Sequence, residues 1–282
     1  AIQLFQIIDQ NTFIHVMGWI SKYSRSELLV QFTYFSANPN KITMILIAVA
    51  TSIGGVGIPL LTENYVKGDF RSAARLVQDN LSMLIFFILP ATIGAVLVAE
   101  PLYTVFYGKP DSLALGLFIF AMLQTIILSL YTVLAPMIQA LFQNRKAIIY
   151  FLYGVGVKLV LQVPLIYLFK AYGPLISTTI GLLIPIVLMY QEIRKVTGLN
   201  PKNLFKRSLL SVILTVLMTL FVLVAELLIG LFLHPSGRIS SFVYIALIGG
   251  VGLAVYGGLA LKVRLMDRFI GSKAASLRRR FH

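Results

Sequence analysis

The sequence predicts an all-α polytopic membrane protein with about eight transmembrane helices, and three observations predict it. The 282 residues are 58% hydrophobic and 12% charged, with a mean hydropathy of +0.88, too few charges to clothe a soluble domain of that length. The apolar residues fall in runs of about 20, the length that crosses a hydrocarbon core of about 30 Å. Lysine and arginine gather in alternate connections between those runs. The runs are too long and too uniformly apolar for barrel strands, so each backbone must satisfy its own hydrogen bonds as a helix.

The predicted spans cover approximately residues 1–20, 42–62, 81–107, 113–142, 147–169, 172–191, 208–233 and 240–262. The chain begins at Ala1, already inside an apolar helical pattern and without the basic, polar flank of a first membrane helix or signal peptide. The N-terminus therefore reads as a cut, with the natural protein continuing upstream. Connection 21–41 mixes Arg25 and Glu27 with Leu28-Leu29-Val30 and several aromatics. That mixture predicts a segment lying on the outer membrane surface until Asn38-Pro39-Asn40 stops it. The second span contains Gly54-Gly55-Val56-Gly57 ahead of Pro59, a locally weak and closely packable helix. Loop 63–80 alternates charge through Glu63, Lys67, Asp69, Arg71, Arg75 and Asp79, which predicts a short amphipathic helix along the inner surface.

Pro90, Pro136, Pro164 and Pro185 fall within spans, with Pro101 near an end. Each removes a backbone hydrogen bond and favours a kink, although proline is also simply frequent in membrane helices. The last span places Gly250, Ala254 and Gly258 at intervals of four, a small-residue face for close helix contact. Beyond it, residues 263–282 form a basic tail ending in Arg278-Arg279-Arg280, with Met266, Phe269, Ile270 and Leu277 as apolar anchors. An anionic inner leaflet is the partner this pattern fits.

Charge asymmetry sets the orientation. The connections after even-numbered spans, together with the tail, hold seventeen Lys and Arg residues against six in the odd-numbered connections. The excess assigns the even connections and the C-terminus to the cytoplasm. The formal net charge of +14 is thus read as topology and anionic lipid, with no nucleic-acid partner. No cysteine is present, which excludes disulfides, thiol catalysis and thiolate metal sites. His15, His234 and His282 are scattered and form no metal constellation, and no nucleophile–base pair or phosphate-binding loop is apparent. Gly154-Val155-Gly156 lies inside a membrane span, so it is not such a loop.

Two ionisable residues inside spans carry the functional argument, because a charge at membrane depth is costly unless it meets a partner or a wet cavity. Asp9 heads the polar run Asp9-Gln10-Asn11-Thr12 in the first span, and Lys158 lies deep in the fifth, with Gln162 one turn further on the same face. A shared cavity for Asp9 and Lys158 is the cheapest way to retain both. The candidate substrate-cavity residues are therefore Lys158, Asp9, Gln10, Asn11 and Gln162. For Asp9 the competing reading is a helix end at the interface, and for Lys158 a structural ion pair. Consecutive helical residues diverge by about 100°, so the whole polar run cannot face one side. Glu226 and the amides Gln124, Gln139 and Gln143 are softer candidates, the amides as simple bridges between helices.

Several motifs carry a family resemblance: Ile8-Asp9-Gln10-x-Thr12-Phe13, Ala37-Asn38-Pro39-Asn40-Lys41, Ile58-Pro59-Leu60, Leu89-Pro90-Ala91-Thr92-Ile93-Gly94, Ala140-Leu141-Phe142-Gln143-Asn144, and Lys158-Leu159-Val160-Leu161-Gln162-Val163-Pro164-Leu165. Together they resemble the C-terminal half of the multidrug/oligosaccharidyl-lipid/polysaccharide (MOP) flippases, and among these the Gram-positive lipid II flippase (MurJ-like) branch. The resemblance implies helices seven to fourteen of a fourteen-helix transporter. Residues 1–195 would form the six-helix C-terminal lobe and residues 196–262 two additional helices lining a lipid groove. It implies alternating access with the missing N-terminal lobe, a cationic cavity to which Lys158 would belong, and a polyprenyl-diphosphate-linked oligosaccharide as substrate. Some relatives bind sodium through a carboxylate in the helix equivalent to 147–169. Here that helix has only Lys158, so such a site is not expected, and coupling is left to another monovalent cation or the membrane potential.

The reading is a lipid-linked oligosaccharide flippase lobe serving peptidoglycan assembly, not an enzyme and without a cofactor. The alternatives are a cation-coupled drug or small-solute exporter of the same superfamily and a non-transporting membrane scaffold.

Overall fold

The structure, a computed structural model, describes residues 2–233, 235 and 237–263. It is all-helical among those residues: α1 (Ile2–Ile20), α2 (Arg25–Ser36), α3 (Asn40–Val56), α4 (Ile58–Val66), α5 (Phe70–Leu97), α6 (Ala99–Tyr107), α7 (Ser112–Ala140), α8 (Asn144–Phe169), α9 (Gly173–Thr197), α10 (Pro201–Gly230) and α11 (Arg238–Lys262), with a 3-10 turn at Lys170–Tyr172 between α8 and α9. Six continuous stretches are long and apolar enough to cross a membrane: 25–66, 70–97, 112–140, 144–197, 201–230 and 238–262. The 54-residue stretch 144–197 holds both α8 and α9. The nineteen residues of α1 fall outside that set, because Gln3, Gln6, Asp9, Gln10 and Asn11 dilute their hydropathy. The chain is a multi-pass membrane protein; the predicted spans fall in helical segments, but the second and the third, 81–107, are each divided between two helices, the third at Val98 between α5 and α6. The tail from residue 264 lies outside the described residues.

Local chemistry sets the boundaries. Ser24 and Glu27 form a reciprocal capping box at the start of α2, with the Ser24 amide donating to Glu27 Oε2 at 2.7 Å. Asp111 caps α7 by accepting from the Ala114 amide at 2.7 Å, and Tyr34 of α2 donates to its other oxygen at 3.1 Å. Gly198 ends α9 in the left-handed region at φ +69°.

Three sequence expectations need correction. The second span breaks at Gly57 into α3 and α4, where the glycine run weakens the helix and Pro59 supplies a ready first turn. Loop 63–80 is not a separate surface helix. Glu63 and Lys67 pair at 2.5 Å as α4 ends, Asp69 accepts from the Ser72 amide at 3.0 Å, and α5 then runs without a break into the third span. The face of Gly250, Ala254 and Gly258 is not where α11 packs. A methyl added at Gly250 or Gly258 would meet no atom within 4 Å, and the buried face is Ser241, Tyr244, Ile248, Gly252, Tyr256 and Ala260. Both stripes repeat every four residues, so spacing alone could not choose between them. The four mid-span prolines each lie inside a continuous helix.

The chain divides into two compact units, residues 1–84 with 111–204 and residues 85–110 with 205 onward. In the first, α8 and α9 meet face to face at two glycines: a methyl on Gly154 would lie 2.2 Å from the Gly181 carbonyl oxygen. Connection 21–41 contributes to this core through α2, whose Leu28 and Phe35 pack with Phe13 and Met17 of α1, Leu117 of α7 and Leu175 of α9. In the second unit, Phe86 and Val98 pack with Met218 and Val222 of α10 and Ile248 and Tyr256 of α11.

Candidate transport site

The first unit brings Asp9, Lys158 and Gln162 together. Lys158 Nζ donates to Asp9 Oδ1 at 2.7 Å, and Gln162 Nε2 donates to the same oxygen at 2.8 Å. Gln162 also donates to Thr12 Oγ1 at 3.0 Å. The site is completed from α9, by two residues that sequence reasoning does not single out. Lys158 donates to Thr178, whose hydroxyl donates to Asp9 Oδ2 at 3.4 Å, and Ser177 donates to Gln162 Oε1. The one hint in the sequence is the run Ser177-Thr178-Thr179 within an apolar span. Hydroxyls in membrane helices mostly bond back to their own backbone, as Thr179 does to Leu175.

Backbone packing explains why the charges meet. The Gly154–Gly181 approach draws α8 and α9 together one turn before Lys158, and a methyl on Gly181 would lie 3.0 Å from Lys158 Cβ. Phe5 of α1 packs edge-on against Phe151 of α8, ring centroids 5.9 Å apart, and its ring lies 5.1 Å from Lys158 Nζ. The ladder Phe5–Phe151, Asp9–Lys158 and Thr12–Gln162 rises in both helices together, so α1 and α8 run parallel. Their parity agrees, since first and fifth spans cross in the same direction.

Lys158 has no solvent exposure, while Asp9 retains 8%. Removing an isolated charge from water costs several kcal/mol, so each partner requires the other and the hydrogen bonds around it. As placed here, the ammonium is engaged with Asp9 and Thr178 and does not project into open space. Beside Asp9 lies a cavity of about 60 Å³ with a mixed lining, Gln6, Asn40, Thr43, Gln124 and Thr178 among apolar side chains such as Phe5 and Leu175, with room for a few water molecules. Gln124 bridges α7 to α9, donating to the Leu175 carbonyl at 2.8 Å and to Thr179 at 2.9 Å.

Gln10 and Asn11 are not part of this cluster. Both are exposed, Gln10 about 100° and Asn11 about 160° around α1 from Asp9, with Asn11 Nδ2 donating to its own helix at Ile7. Glu226 is half-buried on α10. Among the described residues, no group of three His, Asp or Glu side chains could hold a metal ion.

The second unit contains an apolar cavity of about 380 Å³ between α5, α10 and α11, walled by Phe87, Pro90, Met218, Val222, Gly249 and Leu253 among others. Tyr256 also lines it, and its hydroxyl donates to the Phe86 carbonyl at 2.7 Å.

The sequence profile of the lipid II flippase MurJ family matches residues 35–247. The chain belongs to that family. It is 28% identical over 278 residues to the Lipid II flippase MurJ of Bacillus subtilis (strain 168), an alignment covering 97% of this chain and 51% of that protein. A solved structure of a lipid II flippase MurJ in an inward closed conformation superposes on 83% of the chain with a TM-score of 0.59 and 16% identity, covering 48% of that structure. The chain thus spans about half the length of the MurJ proteins it matches, and the likeness extends to the fold.

Proposed function

We propose that this chain is the half-transporter of a lipid II flippase, moving a polyprenyl-diphosphate-linked oligosaccharide across the plasma membrane by alternating access. The observation that carries the reading is membership of the MurJ family over residues 35–247. The geometry fits it in two ways. The Asp9–Lys158 pair ties α1 to α8 and α9 near mid-membrane, a compact charged joint about which a lobe can keep its shape while rocking. The apolar cavity between α5, α10 and α11 offers a polyprenyl chain walls without unpaired polar groups. On this reading α10 and α11 form the lipid groove, and the basic tail rests on anionic lipid with the C-terminus in the cytoplasm. Asp9, Lys158 and Gln162 then act as the scaffold of the substrate cavity, with Gln10 and Asn11 on its exposed side.

The test is rescue. The protein encoded by the gene of this chain is expressed in cells depleted of their own lipid II flippase. Growth is measured together with protection of lipid II from an external lipid II-cleaving toxin. Restored growth with lipid II accessible from outside supports the reading. Failure at normal membrane abundance, combined with export of hydrophobic cations, would replace it with the exporter of the same superfamily.

A further inference from the structure

The ion pair fixes a depth that the sequence could not. Lys158 is the fifteenth of the 26 residues of α8, and because α1 runs parallel to α8, Asp9 and its neighbours lie at that level. Gln10 and Asn11 are therefore near the membrane centre, yet they are exposed on the face of α1 turned away from α8 and α9. Gln3 and His15 are exposed on the same side, each about 9 Å along the axis from Asp9, and the four occupy an arc about 140° wide at 3.6 residues per turn. Leu4, Ile7 and Ile14 fall within the same arc, so the hydrogen-bonding groups alternate there with apolar side chains. Hydrogen-bonding groups do not face lipid tails at this depth; they face water, a polar ligand or another helix.

The chemistry of the arc is that of neutral recognition. Gln3, Gln10 and Asn11 each present a donor and an acceptor without charge. His15 Nδ1 lies 2.6 Å from the Asn11 carbonyl oxygen, which can only accept, so Nδ1 donates there. Lys158 lies at this level but is buried against Asp9 and does not reach the arc. A diphosphate calls for cations, whereas hydroxyls and amides call for side chains of this kind.

We infer that the exposed arc of α1, centred on Gln10 and Asn11, reads the saccharide and peptide part of the lipid-linked headgroup rather than its diphosphate. The inference rests on the transport reading above and names the part of the substrate this wall meets. It also places the diphosphate contact on residues other than Lys158.

The experiment compares two ligands on the purified protein in nanodiscs: lipid II, and undecaprenyl diphosphate, which lacks sugars and peptide. Gln10→Leu/Asn11→Leu is expected to weaken lipid II binding about tenfold, the scale of one or two lost hydrogen bonds, and to leave undecaprenyl diphosphate binding unchanged. If the double variant does not accumulate, Gln10→Ala is measured in the same way. Equal loss for both ligands would assign the arc to the diphosphate and overturn the inference. Unchanged affinity for both, including with impaired assembly of the protein, would make the arc a helix-packing face and overturn it equally. If the wild type binds neither ligand, the transport reading fails first and takes the inference with it.

Discussion

The hydroxyl of Tyr256 on α11 donates to the backbone carbonyl of Phe86 on α5 at 2.7 Å. That carbonyl would ordinarily accept from the amide four residues on, but the fourth residue is Pro90, which has none. The proline leaves a polar atom unpaired in an apolar unit, and a side chain from another helix pairs it. Tyr256→Phe should therefore destabilise the second unit by about 1–3 kcal/mol, the cost of an unsatisfied buried acceptor. Pro90→Ala should restore the intrahelical bond and recover part of the loss in the Tyr256→Phe background. A double-mutant cycle on thermal unfolding in detergent measures the coupling; additive effects would dissociate the two residues.

The Asp9–Lys158 pair makes an asymmetric prediction. Lys158→Gln and Asp9→Asn each leave one buried polar charge without its counter-ion, and each should cost about 3–5 kcal/mol and reduce membrane abundance. The double variant Asp9→Asn/Lys158→Gln keeps hydrogen bonding to Gln162 and Thr178 without charge, and should recover much of that abundance. Rescue assays at matched abundance then separate two roles. Recovery of growth by the double variant makes the pair a packing device, whereas stable protein without rescue ties its charge to transport.

Gly154 and Gly156 look alike in sequence and should behave differently. A methyl at Gly154 would stand 2.2 Å from the Gly181 carbonyl oxygen and 2.9 Å from Pro185 Cδ, while one at Gly156 would have nothing within 4 Å. Gly154→Ala forces α8 away from α9 and should cost about 1–3 kcal/mol, with Lys158 displaced from Thr178. Gly156→Ala should be neutral or slightly stabilising, since alanine favours a helix over glycine. Thermal stability of the two variants side by side decides it.

The spans were legible because each needs about 20 apolar residues and little else resembles that pattern. The partnership of Asp9 with Lys158 was legible for an electrostatic reason, since two lone opposite charges within apolar spans have few other ways to be retained. Adjacency groups Gln10 and Asn11 with them, but a helix turns neighbours apart, and the structure leaves both exposed outside the cluster. Thr178 and Ser177 stayed hidden because a hydroxyl in a membrane helix announces no partner. The packing face of α11 was hidden as well. A methyl on Gly252 would meet Val222 Cγ2 at 3.4 Å and one on Gly250 would meet nothing, yet the two glycines belong to stripes of equal spacing. Only the position of α10 distinguishes them.

The apolar cavity of the second unit gives the last prediction. Gly249 lines it, and a methyl added there would meet no atom within 4 Å, so a larger side chain enters free space instead of the core. Gly249→Phe should fold normally, because an aromatic ring in an apolar cavity of about 380 Å³ gains contacts without displacing a neighbour. If a polyprenyl chain occupies that space during transport, the same ring competes with it, and growth rescue should fall several-fold at unchanged membrane abundance. Leu247→Phe, on the exposed side of α11, controls for added bulk and should retain rescue. Full rescue by Gly249→Phe would remove the polyprenyl chain from this cavity and leave it as a packing defect of the fold.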